Sequence, residues 1–178
     1  MPADLPVFTY HPDPVATGAV ERSNIVCVCC GVSRGFIYVA PVYGEQDLFD
    51  SLCPWCIADG SAAAKLAASF ADSIPLSRAG IPAEVIEEIN LRTPGYSCWP
   101  QEEWLAHCAD ACEFHGDATV SDVANASEQT KQAWMAEYSQ NEEAWRWVIE
   151  GYCPKGDSAL YKFKCRHCNA VLFGWDLS

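Results

Sequence analysis

Three Cys-x-x-Cys pairs recur along the chain, Cys27–Cys30, Cys53–Cys56 and Cys165–Cys168. At this spacing a tight turn aims both sulfurs at one point, and thiolates so placed suit a soft, tetrahedral divalent cation such as zinc. Cys27 and Cys30 precede a β-branched and aromatic run, Gly35-Phe36-Ile37-Tyr38-Val39-Ala40, while Cys53 and Cys56 open onto an alanine-rich run, with 22 residues between the pairs. That order predicts a treble-clef-like site, in which a knuckle and hairpin supply two thiolates and the first turn of a helix supplies two more. The partial positive charge and free amide hydrogens of a helix amino terminus stabilise thiolates. Four thiolates close the coordination sphere, so the site is structural and holds no substrate water. Cys29 could replace a knuckle ligand, but Cys27 with Cys30 keeps the two-residue gap.

Cys165 and Cys168 form a half-site between two strand-like runs, Leu160 to Phe163 and Val171 to Trp175. Its expected partners are Cys108 and Cys112, which as an i, i+4 pair would project from one helix face. His107, His115 and His167 are substitutes for individual ligands, and Cys98 and Cys153 stand unpaired. Closing both sites with zinc would tie the first third, the middle and the tail into one cooperative unit, because metal binding contributes folding free energy.

The elements that must position these groups follow from pattern. Residues 1–24 read as a proline-rich arm, since each residue before a proline is pushed to extended or turn conformations. Residues 35–40 read as a strand and 61–70 as a helix capped by Asp59 or Ser61. Val85, Ile86 and Ile89 share one face of a helix that Pro94-Gly95 stops. Trp104, Leu105, Cys108 and Cys112 predict a helix over 101–114, and the acidic residues of 117–150 predict further helices. The fold class expected is α+β, with zinc-knuckle or treble-clef-like β elements packed on several helices. It forms a single domain over 1–178, with an acidic, mainly helical segment at about 101–150.

The chain has 178 residues, half of them hydrophobic, enough for one core. Its formal charge of -13 argues against nucleic acid as a partner, because such affinity comes from Lys and Arg displacing counterions. Residues 101–150 hold eleven acidic against two basic side chains, and a small basic patch survives at Lys162, Lys164 and Arg166. The start, Met1-Pro2-Ala3-Asp4-Leu5-Pro6, shows no basic region followed by an apolar run, and no stretch is long and apolar enough to span a membrane. A cytoplasmic location is expected, and there eleven cysteines point to metal ligation or redox chemistry rather than disulfides.

Several strings together carry a family resemblance. They are Tyr10-His11-Pro12-Asp13-Pro14 with Thr17-Gly18-Ala19, Leu52-Cys53-Pro54-Trp55-Cys56-Ile57-Ala58-Asp59-Gly60-Ser61-Ala62, and Arg92-Thr93-Pro94-Gly95-Tyr96. Trp104-Leu105-Ala106-His107-Cys108 and Phe163-Lys164-Cys165-Arg166-His167-Cys168 complete the set. The chain resembles the CbrC family of small bacterial proteins, one of which is named for tolerance to a colicin. That resemblance implies a cytosolic bacterial protein and carries over no biochemical activity.

The function expected is a zinc-stabilised interaction or regulatory module in a stress or colicin-tolerance response, with another protein as partner and no catalysis. The alternative is a thiol-disulfide oxidoreductase using Cys53 and Cys56, because a Cys-x-x-Cys at a helix start can have a depressed thiol pKa. Against it, Gln46 to Ser51 lacks the buried strand of a thioredoxin-like fold. A hydrolytic site of His107, Asp110, Glu113 and His115 matches no trusted spacing.

Overall fold

A short antiparallel ladder holds the first third of the chain together. Strand β1 (Val20–Arg22) pairs with β2 (Phe36–Tyr38), setting Val20 opposite Tyr38 and Arg22 opposite Phe36. The computed structural model describes residues 5–99, 101–156 and 158–176; residues 1–4, on which the reading of the chain start rests in part, lie outside them. Between β1 and β2 the backbone makes a knuckle, with the Gly31 amide donating to the Cys27 carbonyl at 2.8 Å. Tyr38 then bridges to Leu52, its amide donating to the Leu52 carbonyl at 2.9 Å. This sets Cys53, in extended conformation, at the start of helix α1 (Pro54–Ala58). Proline suits that first helical position, since its missing N–H would have no partner there.

Helix α2 (Ser61–Leu66) ends earlier than the alanine run predicts, because Ala67 adopts a left-handed conformation with φ 52°. Gly60, not Asp59 or Ser61, occupies the cap position at φ 75°, and the Asp59 carboxylate from one residue further back accepts from the Ser61 amide at 2.8 Å. Val20, Tyr38, Leu52, Ile57 and Phe70 fill the core beneath.

Helices α3 (Ile74–Arg78) and α4 (Ala83–Arg92) lead to the tightest junction of the fold. A Cβ on Gly95 would lie 1.9 Å from the Phe70 carbonyl oxygen, so only glycine fits. The Pro94-Gly95 pair therefore does more than stop a helix. His11 from the arm reaches the same place, buried, with Nδ1 2.8 Å from the Pro94 carbonyl and Nε2 2.6 Å from the Thr17 hydroxyl. A carbonyl only accepts, so Nδ1 carries a proton. Burial pushes the His11 pKa down to about 4, which keeps the ring neutral at neutral pH.

Residues 101–114 depart from the expected helix. They form a small hairpin of β3 (Ala106–His107) and β4 (Asp110–Ala111), followed by β5 (Glu113–Asp117). Cys108 and Ala109 turn the hairpin with φ of 54° and 56°, the positive values that a two-residue hairpin loop of the primed type requires at both positions. The spacing of Trp104 and Cys112 had implied a helix face. They meet instead across the antiparallel strands, where the Trp104 indole donates to the Cys112 carbonyl at 2.9 Å and the Cys112 amide donates to the Leu105 carbonyl at 2.9 Å.

The acidic helical segment begins only after Asp117, with α5 (Val120–Ala124), α6 (Glu128–Glu137) and α7 (Glu142–Ile149). Thr119, Ser127 and Asn141 cap them through side-chain oxygens, each satisfying amides that lack helical partners. The chain then returns as β6 (Leu160–Lys164) and β7 (Val171–Trp175), giving a sheet in the order β5-β6-β7. Strand β6 serves two cores at once. Phe163 packs with Tyr96, Trp104 and Phe114, while Leu160 packs with Trp134, Trp145 and Phe173. Among the described residues, seven helices and these small antiparallel sheets make an α+β fold.

Candidate metal centres

The first knuckle and the amino terminus of α1 bring four thiols together. Ligand atoms of Cys27, Cys30, Cys53 and Cys56 all lie within 4.8 Å of one another. The individual sulfur separations are 3.8 Å for Cys27–Cys56, 3.9 Å for Cys30–Cys53 and 3.6 Å for Cys53–Cys56. Cys27, Cys53 and Cys56 are buried and Cys30 is half-buried. Burial raises the Cys27 thiol, but amides of Cys53, Cys30 and Cys29 outweigh it and lower the pKa to about 7. Cys53 goes the other way, pushed up to about 11 by burial and by the adjacent Cys27. Burial likewise pushes Cys56 up. The four thiols could hold a metal ion, and a cation among them would let sulfurs this close ionise together. Cys29 lies outside this group, its thiol directed to the Ser61 hydroxyl at 3.5 Å.

The second group is His107, Cys108, Cys165 and Cys168, again within 4.8 Å. The β3–β4 turn offers His107 and Cys108, and the knuckle between β6 and β7 offers Cys165 and Cys168. Cys108 and Cys168 are 3.8 Å apart, and His107 Nδ1 lies 3.2 Å from Cys108 and 3.4 Å from Cys168. Burial raises the Cys165 thiol, but amides of Cys168 and His167 outweigh it and lower the pKa to about 6. Cys112, the expected fourth ligand, is not brought to this group. It is fully buried in the middle core, and burial pushes its thiol up to about 12. His107, foreseen only as a substitute, stands in its place because the turn at Cys108–Ala109 reverses the chain.

A web of charge fastens this second group to the arm. Asp110 accepts from the Tyr10 hydroxyl at 2.9 Å and from Arg166 at 3.1 Å, and His167 Nε2 lies 2.9 Å away. Arg166 also lies over the Tyr10 ring, 5.0 Å from its centre. Burial would raise the Asp110 carboxyl, but donation from His167, Tyr10 and the Ala111 amide outweighs it and lowers the pKa. Arg166 is therefore spent on Asp110 and Tyr10, and Lys162 on Asp122. The basic patch of the tail is thereby internally neutralised at two of its three positions. Of the hydrolytic set whose spacing matched no trusted pattern, Asp110 serves this clamp, while His115 pairs with Glu113 at 3.2 Å on the far side of β5 from Phe114. Asp110 had no distinguishing signal in sequence, because its partners lie at positions 10, 166 and 167.

Residues 5–177 match the uncharacterised protein family UPF0167. The chain belongs to the UPF0167 family. A UPF0167 protein of Pseudomonas aeruginosa is 42% identical over 175 residues, covering 98% of each chain. A UPF0167 protein of Mycobacterium tuberculosis and one of Mycobacterium bovis are each 48% identical over 124 residues, 70% of this chain and 66% of theirs. No solved structure matches. The expected CbrC membership is corrected by these matches, and the colicin-tolerance role fell with it. Among the described residues of this UPF0167 chain, no helix is long and apolar enough to cross a membrane.

Cys98 and Cys153 belong to neither group. The Cys98 thiol, pushed up to about 12 by burial and by the charges of Asp176 and Glu102, lies 3.8 Å from the Trp99 carbonyl, and Cys153 is exposed.

Proposed function

We propose that this UPF0167 protein binds two structural zinc ions, through Cys27, Cys30, Cys53 and Cys56 and through His107, Cys108, Cys165 and Cys168. The observation carrying this reading is the sulfur spacing. Thiolates about 2.3 Å from a zinc ion lie about 3.8 Å apart along the edges of a tetrahedron, and the separations of 3.6 to 3.9 Å match that edge. Four-thiolate and three-thiolate-one-imidazole sets are both structural zinc chemistries, closed to substrate. Zinc would hold the ligands and bear the charge of the thiolates, while the amides of Cys53 and His167, 3.2 Å and 3.4 Å from Cys27 and Cys165, orient the sulfurs.

The stapled scaffold serves recognition of another protein rather than catalysis, in the cytoplasm, where thiols stay reduced. Support comes from the first knuckle, where Ile25, Val26, Val28 and Val32 are exposed between Arg22 and Arg34 on an otherwise acidic chain. The oxidoreductase alternative is disfavoured by Cys53 at 0% exposure and its raised thiol, since redox dithiols need an accessible, acidic nucleophile.

Elemental analysis of protein purified without chelator, paired with counting of reactive thiols before and after denaturation, tests the metal reading. Two zinc ions per chain with the ligand thiols protected is the expected result. Metal-free protein with a reducible Cys53–Cys56 disulfide would overturn it. A Val28→Asp variant that keeps both zinc ions should lose a stoichiometric partner retained by the parent; unchanged association would overturn the recognition role of that knuckle.

A further inference from the structure

The second cysteine group is joined by contacts that need no metal. Asp110, two residues after Cys108, is buried, and both of its carboxylate oxygens are engaged. Its Oδ1 accepts from the Tyr10 hydroxyl at 2.9 Å and from the Ala111 amide at 2.8 Å. Its Oδ2 accepts from Arg166 at 3.1 Å and lies 2.9 Å from His167 Nε2. Arg166 and His167 are the residues between Cys165 and Cys168. One carboxylate therefore links the turn that carries His107 and Cys108 to the knuckle that carries the other two thiols. The knuckle also keeps its own shape, the Asn169 amide donating to the Cys165 carbonyl at 3.0 Å and the Cys165 amide to the Ala170 carbonyl at 2.8 Å.

An independent observation concerns access. In this group Cys108 and Cys168 are exposed and His107 is half-buried, so two sulfurs face solvent. In the first group Cys27, Cys53 and Cys56 are all buried and only Cys30 is half-buried. A chelating group can displace protein ligands one at a time only where it can reach the ion.

We infer that the second centre is an exchangeable zinc site, which hands its ion to a chelating acceptor and reloads without unfolding, while the first keeps its ion until the chain unfolds. The inference rests on the zinc reading and adds a division of labour to it. During transfer, donor atoms of the acceptor bind the zinc as its bonds to the three sulfurs and the imidazole break, and the freed thiolates take up protons. No electrons move. Cys108 and Cys168 then turn to water, which spares them the cost of an unsatisfied buried group. Asp110 meanwhile keeps turn and knuckle facing one another, so a returning ion meets its ligands already assembled. Asp110 is thus a positioning residue, and outer-shell groups of this kind are typically worth about 10–100-fold in metal affinity.

Mixing the full, zinc-loaded chain with excess pyridylazoresorcinol, a chelator that changes colour on binding zinc, tests the inference. One ion per chain should transfer promptly with the near-ultraviolet circular dichroism spectrum unchanged, and the other only after denaturant is added. Added zinc should refill the vacated site. Asp110→Asn should bind the exchangeable ion about tenfold more weakly and keep the other. His167→Gln, at an exposed position, should shift the same affinity in the same direction by less, and so guards against an Asp110 variant that fails to fold. A merely structural role would lower the melting temperature and leave the affinity ratio of the two centres unchanged. Absence of zinc at the outset would overturn the zinc reading and this inference with it. Two ions that leave together, a first transfer that unfolds the chain, or an Asp110→Asn variant that refills like the parent would overturn this inference alone.

Discussion

Each cysteine group is built on a Cys-x-x-Cys knuckle, one completed by two further thiols and the other by a thiol and an imidazole, and the two differ in where they sit. In the first, three of four ligands are buried within the core formed by Val20, Tyr38, Leu52 and Ile57. In the second, Cys165 alone is buried, His107 is half-buried, and Cys108 and Cys168 are exposed. The first is thus a component of a hydrophobic core, while the second is a clasp on the surface between two turns. The difference teaches that identical motifs can carry different energetic weight. Removing metal from a core leaves buried groups that nothing else can satisfy, whereas a surface clasp falls back on water.

The largest effect should come from Cys53→Ser. Structural zinc contributes about 10–16 kcal/mol of apparent binding energy in small domains, which matches or exceeds the usual stability of about 5–15 kcal/mol. This variant should lose the first zinc and its cooperative thermal transition, as read by elemental analysis and circular dichroism. Retention of both would break the comparison at its stronger end. Cys168→Ser should lose one zinc, keep the other, and melt cooperatively at a lower temperature. Loss of both metals from that variant would mean that the two groups form a single unit.

Smaller effects sharpen the contrast. Under limiting hydrogen peroxide the exposed pair, Cys108 and Cys168 at 3.8 Å, should join first. Two thiolates give up two electrons, the peroxide is reduced to water, and the second zinc is released while the first stays. A peptide map showing a Cys108–Cys168 disulfide beside intact Cys27 and Cys53 would bear this out; simultaneous loss of both metals would not. Smallest should be the difference between neighbours. His107→Ala should empty the second site, whereas Cys112→Ala should keep both metals and cost about 1–2 kcal/mol as a small core cavity. Denaturant unfolding with zinc quantification separates these outcomes.

The first group was legible because all its determinants are local. Pro54 after Cys53, the alanines that follow and the strand-like 35–40 each report on their own surroundings. The second was half legible. The knuckle at Cys165 lies within a hairpin whose strands announce themselves, but its partners lie across the fold. The turn at Cys108–Ala109 lacks the glycine or asparagine that normally marks positive φ in a hairpin, so its residues read as helix. Trp104 and Cys112 completed the illusion, because residues facing across a short hairpin can fall at helical intervals in sequence. Asp110, Tyr10 and Arg166 were beyond reach for a different reason. A clamp assembled from both ends of the chain leaves no spacing to read.

The backbone meets itself again where the helical segment begins and ends, the Ala118 amide donating to the Leu160 carbonyl at 2.7 Å. Everything from Val120 to Ile149 is therefore an excursion that departs and returns at one point, outside the two cysteine groups. Such an excursion can be lengthened, shortened or exchanged while the frame that carries the two cysteine groups stays whole. Because Trp134 and Glu137 belong to it and Arg78 and Glu103 do not, exchanging the excursion would recast one wall of the surface hollow that these four residues line and leave the other as it is.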